Sequence, residues 1–582
     1  MIRSTTLTLA GLVGAALAAA KAAVPEQPVS TDLQEEVTVR LGEVQILVTD
    51  KDGRAVRDLK LDEIELREAG EKRRILSLEP YSQRDLSSQV LPQPTPIAGE
   101  APVPQEQRPV VLPPPPIRRI VFLFDAFNSR SNDRPKWVTA ARTWVKSEMQ
   151  PSDSVAIAML LRGEVRFVLE FTNVKELVEA TLASSGFLDG SDYYDSMADI
   201  KNLMSDLETC DRAYDPSGCA RTASQAYVHE WRIRAEDTIE SLRRFSAAMA
   251  TIPGRKAVLY LSDGVVQDPG QTATTAILGR LGSDRVDRSR LEAVMRRNVL
   301  QELQQLNRVA SGANVTYFTF DARPSSRKEI AGNAEQGFLL HERGGMEDPF
   351  SAMFNATRGS LDILSVGTGG RSYHGPQLLK TVPEAAAAIE GLYTVTFYRD
   401  PAAGVDPKLK IKLLRKGLVV TFPDKFDPRR HRPLTVSLEL AVSRTSPLGD
   451  GWEVPVQFQI PLSVLELKSD PERKRYWSQV AVFVEAIAPD GRRLGEAHQI
   501  VDVSLPEAEY TDRLTKKFTH SVSVKTQLGP QRLRIRFGDV PFRVQSEKSL
   551  DVTLRSDGSV LPGIQNLGSN QESGRFGDPT PP

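Results

Sequence analysis

The chain has 582 residues, 40 % hydrophobic and 26 % charged, with 74 lysines and arginines against 75 acidic residues for a net charge of −1. That length allows about three or four domains and a large buried core. The even charge balance argues against nucleic acid or an anionic membrane surface as the main partner.

Residues 1–23 read as a secretory signal peptide: Arg3, then the short apolar stretch Leu7 to Ala20, then the small-residue cleavage pattern Ala20-Lys21-Ala22. The alternative is an uncleaved anchor. No cysteine follows to carry a lipid, and no later stretch has the length and apolarity of a membrane helix. The mature chain is therefore expected to be secreted or periplasmic, with no integral membrane segment. Residues 32–82 read as a small β-module, immunoglobulin-like or carboxypeptidase-regulatory-like. Val44, Ile46 and Val48 fall on one face, Asp52-Gly53 marks a turn, and Asp62 to Leu66 and Arg74 to Leu78 supply further strands. Residues 83–116 are a proline-rich linker with Pro92, Pro94, Pro96 and the run Pro113 to Pro116.

An α/β domain is expected over 117–399. Ile120 to Phe124 is an apolar strand that ends in Asp125, and Asp133 and Pro135 open a helix carrying Trp137, Ala141, Trp144, Val145 and Met149. Ser154 to Leu161 and Val165 to Phe171 form a strand pair joined at Arg162-Gly163 and followed by Thr172. Helices follow over Asn173 to Leu182 and Trp231 to Met249. Lys256 to Leu261 is a buried strand ending in Ser262-Asp263-Gly264, and Asn314 to Phe320 is another, ending at Asp321. A helix over Arg290 to Ala310 lies between them. The helix Ser351 to Gly367, the short strand Gly370 to Tyr373 and the strand Tyr393 to Tyr398 finish the sheet. Alternating strands and helices imply a mostly parallel sheet wrapped on both faces. Insertions at 186–227, 267–289 and 322–350 interrupt it, and loops at that edge either shape a binding surface or lack order. A β extension (400–428), a β-sandwich (433–545) and a disordered tail (561–582) complete the chain.

Asp125 stands where an open α/β sheet delivers a carboxylate to its carboxyl edge, the usual place for ligands. The order of strand, Asp125, helix, strand pair, Thr172, helix, strand and Asp263-Gly264 resembles the von Willebrand factor type A (VWA) domain. With the N-terminal segment from Val37 and the proline-rich stretch, the chain resembles the VWFA-related proteins abundant in Acidobacteria. The resemblance implies a Rossmann-like domain and a metal-ion-dependent adhesion site, whose first loop reads Asp-x-Ser-x-Ser. Asp125 and Ser129 match its first and last positions, and Thr172 and Asp263 would supply the remaining oxygen ligands for Mg²⁺ or another divalent cation. Phe127 replaces the middle serine, so the site is degenerate unless Asn128, Ser131 or a water fills the vacancy. Alternatively, Asp125 caps the following helix.

Cys210 and Cys219 flank a turn-rich segment and are expected to pair in an oxidising compartment; two free thiols or a soft-metal half-site are the alternatives. Enzyme chemistry finds no support. The six histidines form no zinc pair at helical spacing, no serine sits in a nucleophile elbow, and Val366 to Gly370 is a helix stop rather than a phosphate loop. Lys410, Lys412, Arg415 and Lys416 read as a solvated strand face. Two functions lead: a protein-binding or adhesion module acting through the Asp125 edge, or a metal-free envelope scaffold whose β-modules carry the contacts. A hydrolase housed in the insertions is a third.

Overall fold

The computed structural model describes residues 41–81, 118–130, 133–184, 196–282, 286, 298–323, 349–399, 408–423, 434–435, 439–442, 445–448, 451–465, 467–471, 473–540 and 544–562. The expected signal peptide, the linker, Ser131, much of the insertions and all of the tail beyond Pro562 lie outside the described residues.

The centre is a six-stranded sheet in the order β10-β9-β8-β5-β6-β7. Its strands are β5 (Arg118–Asp125), β6 (Asp153–Leu161), β7 (Glu164–Thr172), β8 (Lys256–Leu261), β9 (Val315–Asp321) and β10 (Ser372–His374). All neighbours run parallel except β6 and β7. The mixed α/β class expected from the sequence is therefore present. Every residue of β5, β8 and β9 is buried, which is why these strands read as continuous apolar runs. Alternation along β5 sorts the two faces. Ile120, Phe122 and Phe124 join Trp137 and Trp144 of α1 (Arg134–Glu148), Val178 of α2 (Lys175–Ala183) and Val382 of α8 (Leu378–Ala388). Val121 and Leu123 pack instead against Ile239 and Leu242 of α4 (Pro216–Ala248), Leu306 of α6 (Leu300–Gly312) and Leu361 of α7 (Pro349–Gly367).

Much of the first two insertions is helical. α3 (Ser196–Asp211), the first half of α4 and α5 (Pro269–Leu281) enclose a separate core of Ile200, Leu203, Leu207, Trp231 and Ile277. Cys210 and Cys219 are bonded, with Cα atoms 5.3 Å apart, and tie the end of α3 to the first turn of α4.

Two β-sandwiches flank the centre. The first is discontinuous in sequence. β1 (Leu41–Asp50), β2 (Ile64–Glu68), β3 (Glu71–Arg73) and β4 (Ile75–Pro80) combine with β11 (Leu392–Tyr398), β12 (Leu409–Leu413) and β13 (Leu418–Thr421) in sheets ordered β13-β1-β11-β4 and β12-β2-β3. This corrects the expectation that Tyr393 to Tyr398 completes the α/β sheet and that the N-terminal module closes on itself. β11 lies antiparallel to β1 with Val44 opposite Val395. Its inward residues Tyr393, Val395 and Phe397 alternate with partly exposed threonines, the period of a strand with one covered face. From Val44 to Thr49 β1 is buried on both faces, because Leu47 joins the core beneath α1 while Ile46 and Val48 stay in the sandwich.

The second sandwich packs a sheet ordered β14-β23-β22-β19-β18, with β20 on β19 and β24 on β23, against a sheet ordered β15-β17-β16, with β21 on β17. These strands are β14 (Leu434–Thr435), β15 (Glu439–Val442), β16 (Ser446–Leu448), β17 (Gly451–Pro461), β18 (Lys468–Asp470), β19 (Arg475–Ile487), β20 (Arg493–Pro506), β21 (Lys517–Thr526), β22 (Gly529–Val540), β23 (Val544–Leu554) and β24 (Val560–Pro562). The sandwich thus runs to Pro562 rather than ending near residue 545. The polar run Gln545 to Ser549 hides β23 from a hydrophobicity reading.

This sandwich grips the central sheet at the start of β5. Glu496 accepts hydrogen bonds from Arg119 at 2.6 Å and Ser154 at 2.9 Å, and Phe483 enters the α/β core. Next to it, Arg118 pairs with Asp153 at 2.5 Å and with Glu390 at 3.3 Å. Among the described residues no helix is long and apolar enough to cross a membrane.

Candidate functional site

β5 and β8 are adjacent and parallel, so Asp125 and Asp263 reach the same carboxyl edge of the sheet. Asp125 is fully buried and engaged on both oxygens. Its Oδ1 accepts from the Phe127 amide at 3.0 Å, the Asn128 amide at 2.7 Å and the Asn128 side chain at 3.2 Å. Its Oδ2 accepts from Asn128 Nδ2 at 3.0 Å and from the hydroxyls of Tyr260 and Ser262, each at 2.6 Å. Asp125 therefore pins its own loop as an aspartate turn does and does not cap α1. The residue at the N-cap of α1 is Asp133, whose side chain pairs with Arg130 and Lys136, each at 2.7 Å.

Ser129 Oγ accepts the Asp263 amide at 2.9 Å, which locks the two loops together. Thr172 is nowhere near them. β7 runs antiparallel, and its last residue pairs with Val155, level with Ile120 at the opposite end of β5. Five residues of strand separate that level from Asp125, roughly 17 Å. The error follows from topology: an edge strand that turns back carries its C-terminal residue to the wrong edge. Thr172 Oγ1 instead accepts from the Val174 amide at 3.1 Å, just before α2.

Sequence reasoning also missed a cluster of arginines. Arg134 donates to the carbonyls of Ala126 at 2.6 Å and Ser129 at 3.2 Å. Arg234, from the middle of α4, donates to the Phe127 carbonyl and to Asn128 Oδ1 at 3.2 Å, while its guanidinium stacks 4.2 Å from the Phe127 ring centre. That contact gives Phe127 a role: its ring supports the cation that satisfies its own carbonyl. Arg323 donates to Asp321 at 2.8 and 3.1 Å, to the Asp263 carbonyl at 2.8 Å and to Thr357 at 3.0 Å. Arg358 donates to Asp321 at 2.7 Å, and both guanidinium groups stack on Phe354. One signal was available in the sequence: Arg323 lies two residues after the strand-terminal Asp321.

Asp263 is less satisfied than Asp125 and Asp321. Its Oδ2 accepts the Arg130 amide at 3.3 Å with Arg130 Nε at 3.5 Å, and its buried Oδ1 has no hydrogen bond, with Arg323 Nε 3.9 Å away. Burial pushes its pKa up to about 6, against the pull of Arg323 and Arg130. Asp321 is pushed the same way by burial, but Arg323 and Arg358 outweigh it and hold that carboxyl below its ordinary value.

A divalent cation does not fit this set. An octahedral ion needs several oxygens with lone pairs at about 2.1 Å. Asp125 has its lone pairs committed to donors, the middle hydroxyl is a phenyl ring, and Thr172 is at the other edge. Arg130, Arg323 and Arg358 already face Asp133, Asp263 and Asp321, and Arg134 and Arg234 hold the loop after Asp125, so added positive charge meets repulsion.

No protein-family model matches the chain, and no curated protein matches it. Solved structures give partial likenesses. An aerotolerance-related membrane protein from Bacteroides fragilis is 8 % identical, over 47 % of this chain and 98 % of that one, at a TM-score of 0.22. A glycosyl hydrolase family 2 member from Bacteroides cellulosilyticus is 10 % identical, over 29 % of this chain and 20 % of its own, at 0.15. A beta-glucuronidase from Bacteroides uniformis is 10 % identical, over 28 % and 19 %, at 0.14. Likenesses at these scores decide neither fold nor activity.

Proposed function

We propose that this chain is a non-catalytic, extracytoplasmic protein-binding scaffold: a VWA-type domain with a metal-free polar centre, held between two β-sandwiches that carry its contacts. The observation that carries this reading is the saturation of Asp125, which leaves no open corner for a cation to present to a partner. Ser129 and Asp263 are 0 % and 3 % exposed, so neither reaches a partner directly. Catalysis is disfavoured on the same ground. Among the described residues of this edge, Asp263 is the carboxyl with a pKa raised toward neutrality, and it is enclosed beside Arg130 and Arg323.

For the contact surface this reading looks to the N-terminal sandwich. An open groove of about 470 Å³ is lined by Glu65, Arg67, Lys410, Ile411, Lys412 and Phe422. Nearby strand β13 and the turn before it expose Val419 and Leu414. The test is affinity enrichment from a crosslinked cell envelope with the mature chain as bait, with and without chelator. One partner set recovered equally under both conditions is expected. Recovery that vanishes on chelation would return the adhesion-site reading to favour, and a purely cytoplasmic catch would overturn the location.

A further inference from the structure

We infer that Arg130 and Arg323 are built-in counter-cations, doing for the buried carboxylates at this edge what a divalent ion does in an oxygen-lined site. The inference rests on the metal-free reading above.

The geometry separates these two arginines from ordinary surface ion pairs. Arg323 is 6 % exposed and touches three elements at once: Asp321 at the end of β9, the Asp263 carbonyl after β8 and Thr357 on α7. Arg130 bridges Asp263 and Asp133, both 3 % exposed, from the loop that also carries Asp125 and Ser129. Together they flank Asp263, one guanidinium toward each carboxylate oxygen. A carboxylate in a low-dielectric setting keeps its charge only beside an opposite one, and among the described residues Arg323 and Arg130 are the cations that act on Asp263. Phe354 holds Arg323 in place by stacking at 4.6 Å, so the cation is fixed as a bound ion would be. The other charged groups facing the cluster are already committed. Arg134 and Arg234 serve the carbonyls of the first loop, Arg358 and His374 face Asp321, and Lys136 faces Asp133.

The experiment is thermal melting of the purified mature protein. Wild type should melt at the same temperature in EDTA and in millimolar Mg²⁺, Mn²⁺ or Ca²⁺. Arg323→Met should melt about 5–10 °C lower than wild type. Arg323→Lys keeps the charge and should recover part of the loss. Should Arg323→Met fail to fold, Arg130→Met at the more accessible guanidinium is read in the same way. Two results overturn the inference. A deficit that lysine does not relieve makes the arginine mere packing. An Asp263-dependent rise of the wild-type melting temperature with divalent ions sinks the metal-free reading as well.

Discussion

Asp263 holds a charge in surroundings that oppose it, and the pH dependence of stability should report this. Its folded pKa, about 6, lies above the ordinary aspartate value of 3.8, so between those limits the folded chain binds the proton more tightly than the unfolded one. Stability from this group therefore rises as pH falls from 7 toward 4 and is lost as pH rises through 6. Subtracting the Asp263→Asn curve from wild type should leave a slope of that sign, worth about 1–3 kcal/mol across the window, and urea titrations at several pH values measure it. Asp125→Ala acts oppositely, stranding the hydroxyls of Tyr260 and Ser262 and two backbone amides in a dry site. It should cost about 3–5 kcal/mol, with no dependence on added metal. Asp125, Ser129 and Asp263 were legible in the sequence because strand ends mark the edge of a parallel sheet. The arginines, Arg323 beside Asp321 excepted, were not. Arg234 sits 106 residues from Asn128 in a long helix, where nothing local separates a buried guanidinium from a solvated one.

At the scale of elements, α4 joins regions that the sequence presents as an insertion and a domain. Its 33 residues begin at the disulfide, pass through the insertion core at Trp231 and reach the main core at Phe245. Replacing Cys210 and Cys219 with serine releases a short closed loop and should lower stability by about 2–3 kcal/mol, read as a matching shift when the wild type is reduced. The junction with the second sandwich offers another measurement. Burial opposes ionisation of Glu496, but Arg119 and Arg493 outweigh it and hold its pKa below the ordinary value. Glu496→Gln should then cost about 2–4 kcal/mol at neutral pH, and a double-mutant cycle with Arg119→Met should give a coupling above about 1 kcal/mol. Strands with continuous apolar runs were read correctly in place and direction. β11 was not assigned to its sheet, since a half-covered strand next to a helix fits either an α/β edge or a sandwich until its partner is known.

For the whole molecule, the pairing of β1 with β11 means that the first sandwich has no independent N-terminal half. A fragment beginning at Arg118 would lack β1 to β4, exposing Tyr393, Val395 and Phe397 on one side and the Leu47 contact on the other. It should be insoluble or melt far below the full chain, whereas a separable N-terminal module would leave the remainder intact; expression and calorimetry of the fragment decide between them. The same pairing sets a timetable for biogenesis. Val44 leaves the ribosome about 350 residues before Val395. At about 5–20 residues per second, the nascent β1 waits on the order of 20–70 s for its mate. During that interval its apolar face is a sticky ribbon, so a holding chaperone or delayed folding until the chain is complete becomes a requirement of the topology.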